Sequence, residues 1–510
     1  MVTCDRPIYM LNPSQQSAVA HTAAHLLLIA GPGTGKTHTL TRRIARLAEQ
    51  LENSEKILAI TFTNKAALEM QERLARLLKN TEEKVFVGTF HSFCLQLLRQ
   101  YYREAGLPEN FQVASPEEIE PVAKEMWPDL SAGTRKQLLE DISRFKAMHF
   151  QEKPSTEAEI YNKFLRQKNF LDFDDLLLES LRLITENSQL RRDLQNIYRY
   201  IFVDEYQDIN PAQHALLLRL AERGVQISAI GDPNQAIYGF RGSDVKFFKS
   251  FPEDFPGATT LSLAENYRSA QNLLAASGQV IAQSHFPYLS KLTATILEAG
   301  RLTVYEAPTD KAEAEYVVHQ IEKMVGGTSM FSQDSGRVAR HSGAQRSFGD
   351  IAVLYRLNSQ VNILKTAFER SGIPYEISGS KPLEADLLPH SDQKYVERSE
   401  RVQLLTLHAA KGLEFPVVFM VGCEENLLPL KIESLTGDRE EERRLFYVGM
   451  TRAREELFLI RAQKRFLYGK NYQNPASPFL ADIEEELKAY EKGVARQKRS
   501  KTEQQLTLFD

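Results

Sequence analysis

Cysteine is scarce. The 510 residues hold three, Cys4, Cys94 and Cys423, far apart in the chain. That spacing fits neither a disulfide framework nor a zinc knuckle, and it agrees with a reducing compartment. An apolar leader is also lacking. The first residues, "MVTCDRPIYML", place Asp5 and Pro7 where a signal peptide needs an unbroken apolar run. No apolar stretch approaches the length that spans a bilayer, so no membrane association and a cytoplasmic location are expected. A charge excess is missing too: 63 Lys and Arg face 67 Asp and Glu, a net charge of −4. Any nucleic-acid surface therefore has to be local. What is present, 42% hydrophobic and 25% charged residues, is the composition of a globular protein. The length predicts roughly two to four domains.

Apolar runs alternate with helical patterns along the chain. Candidate strands are 26–30, 57–61, 85–89, 201–204 and 227–230, then 302–306, 351–355, 402–405, 417–421 and 457–460. The runs are continuous, as in a parallel sheet covered on both faces. Between two of them, "NKAALEMQERLARLLK" sets Ala67, Met70, Leu74 and Leu77 on one helical face. Two such groups predict an α/β protein with two parallel-sheet domains. Residues 101–172 read as a helical insertion in the first domain. Residues 326–347 lack periodicity and are expected to be a disordered loop. Residues 379–400 are polar with no clear element, and 491–510 form a basic tail ending in "QQLTLFD".

The chemistry begins at "LLLIAGPGTGKTHTL" (26–40). A strand runs into a Gly-rich loop, then Lys36-Thr37, then a helical pattern, which is the arrangement of a phosphate-binding loop. In the loop of Ala30, Gly31, Pro32, Gly33, Thr34 and Gly35, the three glycines would let the backbone fold around an anion with its N–H groups pointing inward. The helix N-terminus adds its dipole, Lys36 a point charge for the β- and γ-phosphates, and Thr37 a hydroxyl for Mg²⁺. Ala30 stands where the usual pattern has glycine. The bland alternative is a Gly-rich turn beside a surface lysine; the flanking strand and helix argue against it.

A second stretch, "IFVDEYQDIN" (201–210), places Asp204, Glu205 and Asp208 together at a strand end. Folding gives no reason for such crowding, but a bound cation does. Asp204 would hold Mg²⁺ and Glu205 would orient or deprotonate an attacking water. Without the metal, mutual repulsion should raise the pKa of Asp204 or Glu205. The alternative is a solvated acidic turn. Loop and carboxylates together predict a nucleoside triphosphatase.

Further segments narrow this reading. "LNPSQQSAV", "AGPGTGKT", "ITFTNKAALEM", "GTFHSF", "VDEYQD", "IGDPNQAIYGFRGSD", "ENYRS", "LLTLHAAKGLEFPVVF" and "EERRLFYVGMTRARE" follow one another from about residue 11 to about 480. In that order they resemble the motif set of UvrD/Rep-like superfamily 1 DNA helicases. The resemblance implies two RecA-like P-loop NTPase domains: 1–100 with 173–264, and 265–378 with 401–490. It implies ATP and Mg²⁺ as cofactors. It implies adenine reading by Gln15, base stacking by Tyr267, ribose contact by Glu414 and γ-phosphate sensing by Gln235. Arg268 and Arg452 would reach the γ-phosphate from the second domain, so that ATP closes a cleft and hydrolysis releases it. Where many relatives carry arginine after the Lys-Thr pair this chain has His38, and no nucleotide contact is carried over to it.

For the track, the resemblance implies single-stranded DNA and single-strand/duplex junctions, gripped by Phe62, Thr89, His91, Tyr238, Phe240 and His408, with 3′-to-5′ movement. Core packing for the two phenylalanines and a structural role for the two histidines remain the alternatives. Relatives carry a large insertion in the second domain; here 379–400 is a short remnant, which puts duplex engagement in question. The tail "QLTLF", with Gln505, Leu506, Leu508 and Phe509, resembles the motif by which bacterial proteins dock on the sliding clamp. That implies a bacterial, nucleoid-associated protein in DNA repair or replication. No nuclease cluster follows Arg452, so no cutting is expected. Two rival readings stay open: a translocase that displaces proteins without efficient unwinding, and a nucleotide-switched DNA- or clamp-binding module.

Overall fold

The structure is a computed structural model describing residues 11–22, 24–78, 82–285, 291–326, 346–378, 400–432 and 435–492. Cys4, most of the 326–347 and 379–400 stretches, and the tail with its clamp-like motif lie outside the described residues. Among the described residues no helix is long and apolar enough to cross a membrane.

The chain forms two compact units. The first comprises Met1–Ala299, Ser378–Glu397 and Asp438–Thr451, and the second Gly300–Ile377, Arg398–Gly437 and Arg452–Asp510. In the first unit, β1 (His25–Ala30), β2 (Lys56–Thr61), β3 (Val85–Thr89), β4 (Tyr198–Val203), β5 (Gln226–Gly231) and β6 (Ala258–Leu263) make one sheet. The order is β3-β2-β4-β5-β1-β6 and every pair is parallel. Side chains alternate between two cores, as the pleat requires. Leu27, Ile29, Ile201, Val203 and Ile227 face one cluster with Phe90, Phe93, Leu176, Phe248 and Phe251. Leu28, Ala30, Phe202 and Ile230 face the other, with Leu40, Ile44, Met70 and Leu74 from the helices Lys36–Ala48 and Asn64–Leu77. Burial of both faces explains the unbroken apolar runs.

The helical insertion is formed by Pro116–Met126, Ala132–Met148 and Thr156–Gln167, packed around Val122, Ile142, Ala158, Tyr161 and Leu165. Two short strands missed in the sequence, Gln112–Val113 and Phe170–Leu171, pair at its root. There Lys146, 2% exposed, donates to Asp172 (2.5 Å) and Asp175 (2.7 Å).

The second unit has its own sheet of β7 (Arg301–Ala307), β8 (Ile351–Tyr355), β9 (Tyr375–Ser378), β10 (Val402–Thr406), β11 (Phe415–Val421), β12 (Ala453–Ala462) and β13 (Ala489–Lys492). The order is β9-β10-β8-β11-β12-β7-β13, and the pairs from β10 across to β13 are parallel. Val353, Tyr355, Phe419 and Phe458 lie in its core with Val317, Ile321 and Phe368. Beside it Arg465, 3% exposed, donates to Glu313 (2.7 Å) and Glu424 (2.6 Å).

The compact units divide the chain differently from the sequence reading. Residues 265–299, assigned from the sequence to the second domain, belong to the first unit, as does the helix Arg439–Met450. The reason is local. β6 pairs with β1 along its length, and the segment after β6 is bonded directly to the phosphate loop.

Candidate nucleotide site and nucleic-acid track

The phosphate loop leaves β1 at Ala30, which is fully buried. Gly33 (φ 69°) and Gly35 (φ 82°) take backbone angles that side chains avoid. Thr34 closes the turn by donating its hydroxyl to the Gly31 carbonyl (2.8 Å), and Pro32 is buried. Gly35 is the N-cap of the helix Lys36–Ala48 and supplies no side-chain cap. The first-turn N–H groups are thus left facing the loop, which is what an anion needs. Lys36 donates to the Ala30 carbonyl (3.3 Å), and Thr37 is half-buried on the first turn.

Two strand ends bring carboxylates to this loop. Asp204 follows β4, is 7% exposed, and donates its N–H to Ile60 (2.9 Å). Its pKa is pushed up to about 7, first by burial and then by Glu205, against the opposing pull of Lys36. A rise was expected; its main cause is desolvation rather than repulsion. Glu205 sits in the left-handed region (φ 52°), a strained geometry for glutamate. Asp232, after β5, is 2% exposed and also shifted up by burial, with Lys36 pulling it down. It accepts from the Gln235 amide (2.8 Å) and the Asn234 N–H (3.0 Å).

Gln207 joins these pieces and was quoted in the sequence without a role. Fully buried, it donates to Glu205 and Asp208 and accepts the Asp232 N–H (3.0 Å). The signal was available: an amide two residues past an Asp-Glu pair can bridge charges that a carboxylate would repel.

Asn266 was likewise passed over. Fully buried, it donates to the Pro32 carbonyl (2.6 Å) and accepts N–H bonds from Arg268 (3.0 Å) and Ser269 (2.9 Å). The Tyr267 N–H donates to the Gly33 carbonyl (2.9 Å). A Cβ on Gly33 would stand 2.5 Å from that of Arg268, so only glycine permits this approach. Arg268 therefore sits beside the loop as part of the first unit, not the second. Tyr267 is 45% exposed and donates its hydroxyl to Glu265 (2.7 Å). Gln15, 4% exposed, donates to the Thr34 carbonyl (3.0 Å) and accepts the Asn12 N–H (3.0 Å), so its amide also braces the loop.

In the second unit Arg452 is 1% exposed, donates to the Leu413 carbonyl (3.1 Å) and accepts the Phe415 N–H (2.9 Å). Glu414 is paired with Arg454 at 3.8 Å.

The track candidates divide by burial. Phe62 stacks on Tyr238 (centroids 5.1 Å, planes 19° apart), and Tyr238 meets Phe240 edge-on at 6.1 Å. Phe240 ends this ladder 55% exposed, with the Arg241 guanidinium 5.8 Å from its ring. Thr89 is 1% exposed and caps the helix Phe90–Gln100 by accepting the Ser92 N–H (3.2 Å). His91 is buried, stacks on Phe173 at 3.6 Å, and has its pKa lowered to about 3 by burial, so it stays neutral. Both have evident work inside the fold. His408 is half-buried in the second unit.

A metal fits this donor set. Mg²⁺ is usually held by one or two carboxylates and substrate phosphates, with water completing the shell, rather than by an all-protein cage. Thr37 and Asp204 supply a hydroxyl and a poised carboxylate, and among the described residues no cluster of three or more His, Cys, Asp and Glu side chains forms a separate metal cage. Cys94 and Cys423 are free, buried thiols whose pKa values burial pushes up, which makes them poor nucleophiles.

A parallel sheet with a phosphate loop after one strand and acidic residues after two others, one of them adjacent, defines a P-loop nucleotide-binding protein. The sequence profile of the UvrD/REP helicase N-terminal domain matches residues 11–256, and that of the UvrD-like helicase C-terminal domain matches 261–383 and 381–464. The chain belongs to the UvrD/Rep helicase family. It is 28% identical to the ATP-dependent DNA helicase PcrA of Staphylococcus epidermidis over 659 aligned positions, covering 96% of this chain and 88% of the relative. PcrA of Staphylococcus aureus strain MRSA252 is also 28% identical, with 94% of this chain and 86% of the relative covered. Alignments longer than the chain itself mean that these relatives carry segments this chain lacks.

Proposed function

We propose that this chain is an ATP-dependent DNA helicase that moves 3′ to 5′ on single-stranded DNA. The observation that carries the reading is the bonded network Glu205–Gln207–Asp232–Gln235, which links the water-activating position to the loop bearing Tyr238 and Phe240. A motor needs such a link, because its grip has to change with nucleotide state.

In this reading the loop N–H groups and Lys36 hold the β- and γ-phosphates. Thr37 and Asp204 hold Mg²⁺, which when bound neutralises phosphate charge. Glu205 takes the proton of the attacking water, its backbone strain and the Gln207 bond fixing the carboxylate. Gln235 follows the γ-phosphate. Arg268 and Arg452 stabilise charge on the transferred phosphoryl group, Tyr267 stacks on the base, Gln15 reads the adenine edge and Glu414 contacts the ribose. Phe62, Tyr238 and Phe240 support stacked DNA bases, whereas the buried Thr89 and His91 support the fold beneath them. ATP turnover measured with and without oligo(dT) tests the reading; turnover that DNA leaves unchanged would refute it.

A second reading has its own support: a translocase that unwinds poorly. The C-terminal family profile is matched in two pieces meeting at 381–383, and the PcrA alignments exceed the chain in length. Both agree with a reduced second insertion. Good translocation with weak opening of a forked duplex would favour it. Docking of Gln505, Leu506, Leu508 and Phe509 on a sliding clamp is part of the proposal; deleting 504–510 should abolish clamp pull-down and spare ATP turnover.

A further inference from the structure

We infer that Glu441 and Arg444 are positioning residues that hold the aromatic loop in its DNA-gripping form. The inference rests on the helicase reading and adds to it a specific pair of side chains. Both lie on the helix Arg439–Met450, three residues apart and hence on one face. Arg444 Nε donates to the Ala236 carbonyl (2.7 Å), and Glu441 Oε1 accepts the Gly239 N–H (3.1 Å).

These two backbone groups flank Tyr238. One end of the loop carries Gln235, bonded to Asp232 in the hydrolytic network, and Phe240 projects just beyond Gly239. The Ala236 and Gly239 groups are where a short, turn-rich loop needs partners from outside itself. Gly239 is glycine for a matching reason. A Cβ there would lie 2.4 Å from Glu441 Oε2 and displace the carboxylate. The helix is itself fixed by Arg443, which donates to the Val280 carbonyl (2.8 Å). Neither Glu441 nor Arg444 belongs to the nucleotide site or the DNA-stacking ladder.

The test uses the full chain and measures ATP turnover against oligo(dT) concentration, with thermal melting of each variant. Glu441→Ala should raise the DNA concentration for half-maximal stimulation about tenfold or more, the size expected for losing a hydrogen bond to a charged group. DNA-free turnover, the KM for ATP and the melting temperature should stay as in the parent. Gly239→Ala should reproduce this by pushing the carboxylate away. Glu441→Gln retains an acceptor oxygen and should behave like the parent. Unchanged DNA dependence in both Glu441→Ala and Gly239→Ala overturns the inference. So does a parallel loss of DNA-free turnover and melting temperature, which would assign the pair to fold support. A parent protein whose turnover ignores DNA would instead overturn the helicase reading beneath it.

Discussion

Each unit buries a cluster of carboxylates around one basic side chain, yet the two clusters are built to opposite ends. In the second unit the charge is inside. Arg465 Nε and Nη2 fork onto Glu424, Nη2 also reaches Glu313, and the backbone N–H groups of Gly422 and Ala462 donate to the same carboxylates. In the first unit the nearby charge is Lys36, at the start of a helix whose first turn has no side-chain cap. Asp204 is left buried beside Glu205, with its pKa pushed up to about 7 by burial first and then by Glu205. The lesson concerns where the cation sits. A planar guanidinium in the middle closes a cluster into a strut, whereas an ammonium at the rim leaves a place for a metal and its phosphates.

The sharpest way to break this comparison is to remove cations on the two sides. Arg268→Ala should lower saturated ATP turnover by about 10³-fold or more and leave the melting curve in place. Lys36→Ala should abolish turnover with the same indifference in melting. Arg465→Met should do the reverse, destabilising the second unit by about 3–5 kcal/mol in denaturant titrations because two buried carboxylates lose their partner. Equal melting losses for Lys36→Ala and Arg465→Met would erase the distinction. Next in size, Glu205→Gln should cut turnover by about 10²–10⁴-fold while nucleotide binding, read by a fluorescent ATP analogue, persists.

Proton linkage sharpens the same contrast. Burial raises Glu313 from 4.5 to about 7 in the folded state, with Glu424 adding to the rise and Arg465 opposing it. Between those values the folded unit holds a proton that the unfolded chain releases. Stability from this group is therefore full below about pH 4.5 and is lost as the pH rises through about 7. Denaturant midpoints across that window should fall with pH in the parent and fall less in Glu313→Gln. Smallest of all, Phe240→Ala should weaken single-stranded DNA binding by about 1–3 kcal/mol without moving the melting curve, since its ring is mostly in solvent.

Much of this was legible in the chain. All ten strand candidates are strands, because both-face burial writes a continuous apolar run that needs no alignment to see. In the two large sheets the strands that escaped, Ala258–Leu263, Tyr375–Ser378 and Ala489–Lys492, lie at the edges. "ATTLSL" is half polar because an edge strand is half solvated. At the site, Lys36, Asp204 and Arg268 were readable because their charges announce a task. Asn266 was not, because a buried amide carries no charge and its value depends on which distant groups the fold brings to it; Gln207 was half legible, since Glu205 and Asp208 are its sequence neighbours but Asp232 is not. The packing of 265–299 against the first unit was hidden for a similar reason: a six-residue edge strand and one asparagine tie that segment to the phosphate loop.

The twisted backbone at Glu205 has a consequence for anyone selecting hardier forms of this protein. Its φ of 52° suits glycine far better than glutamate. Replacing Glu205 with glycine should relieve that discomfort and yield a sturdier molecule that no longer burns fuel. A screen that rewards survival of heat alone would drift toward such silent chains, so endurance and work have to be scored together.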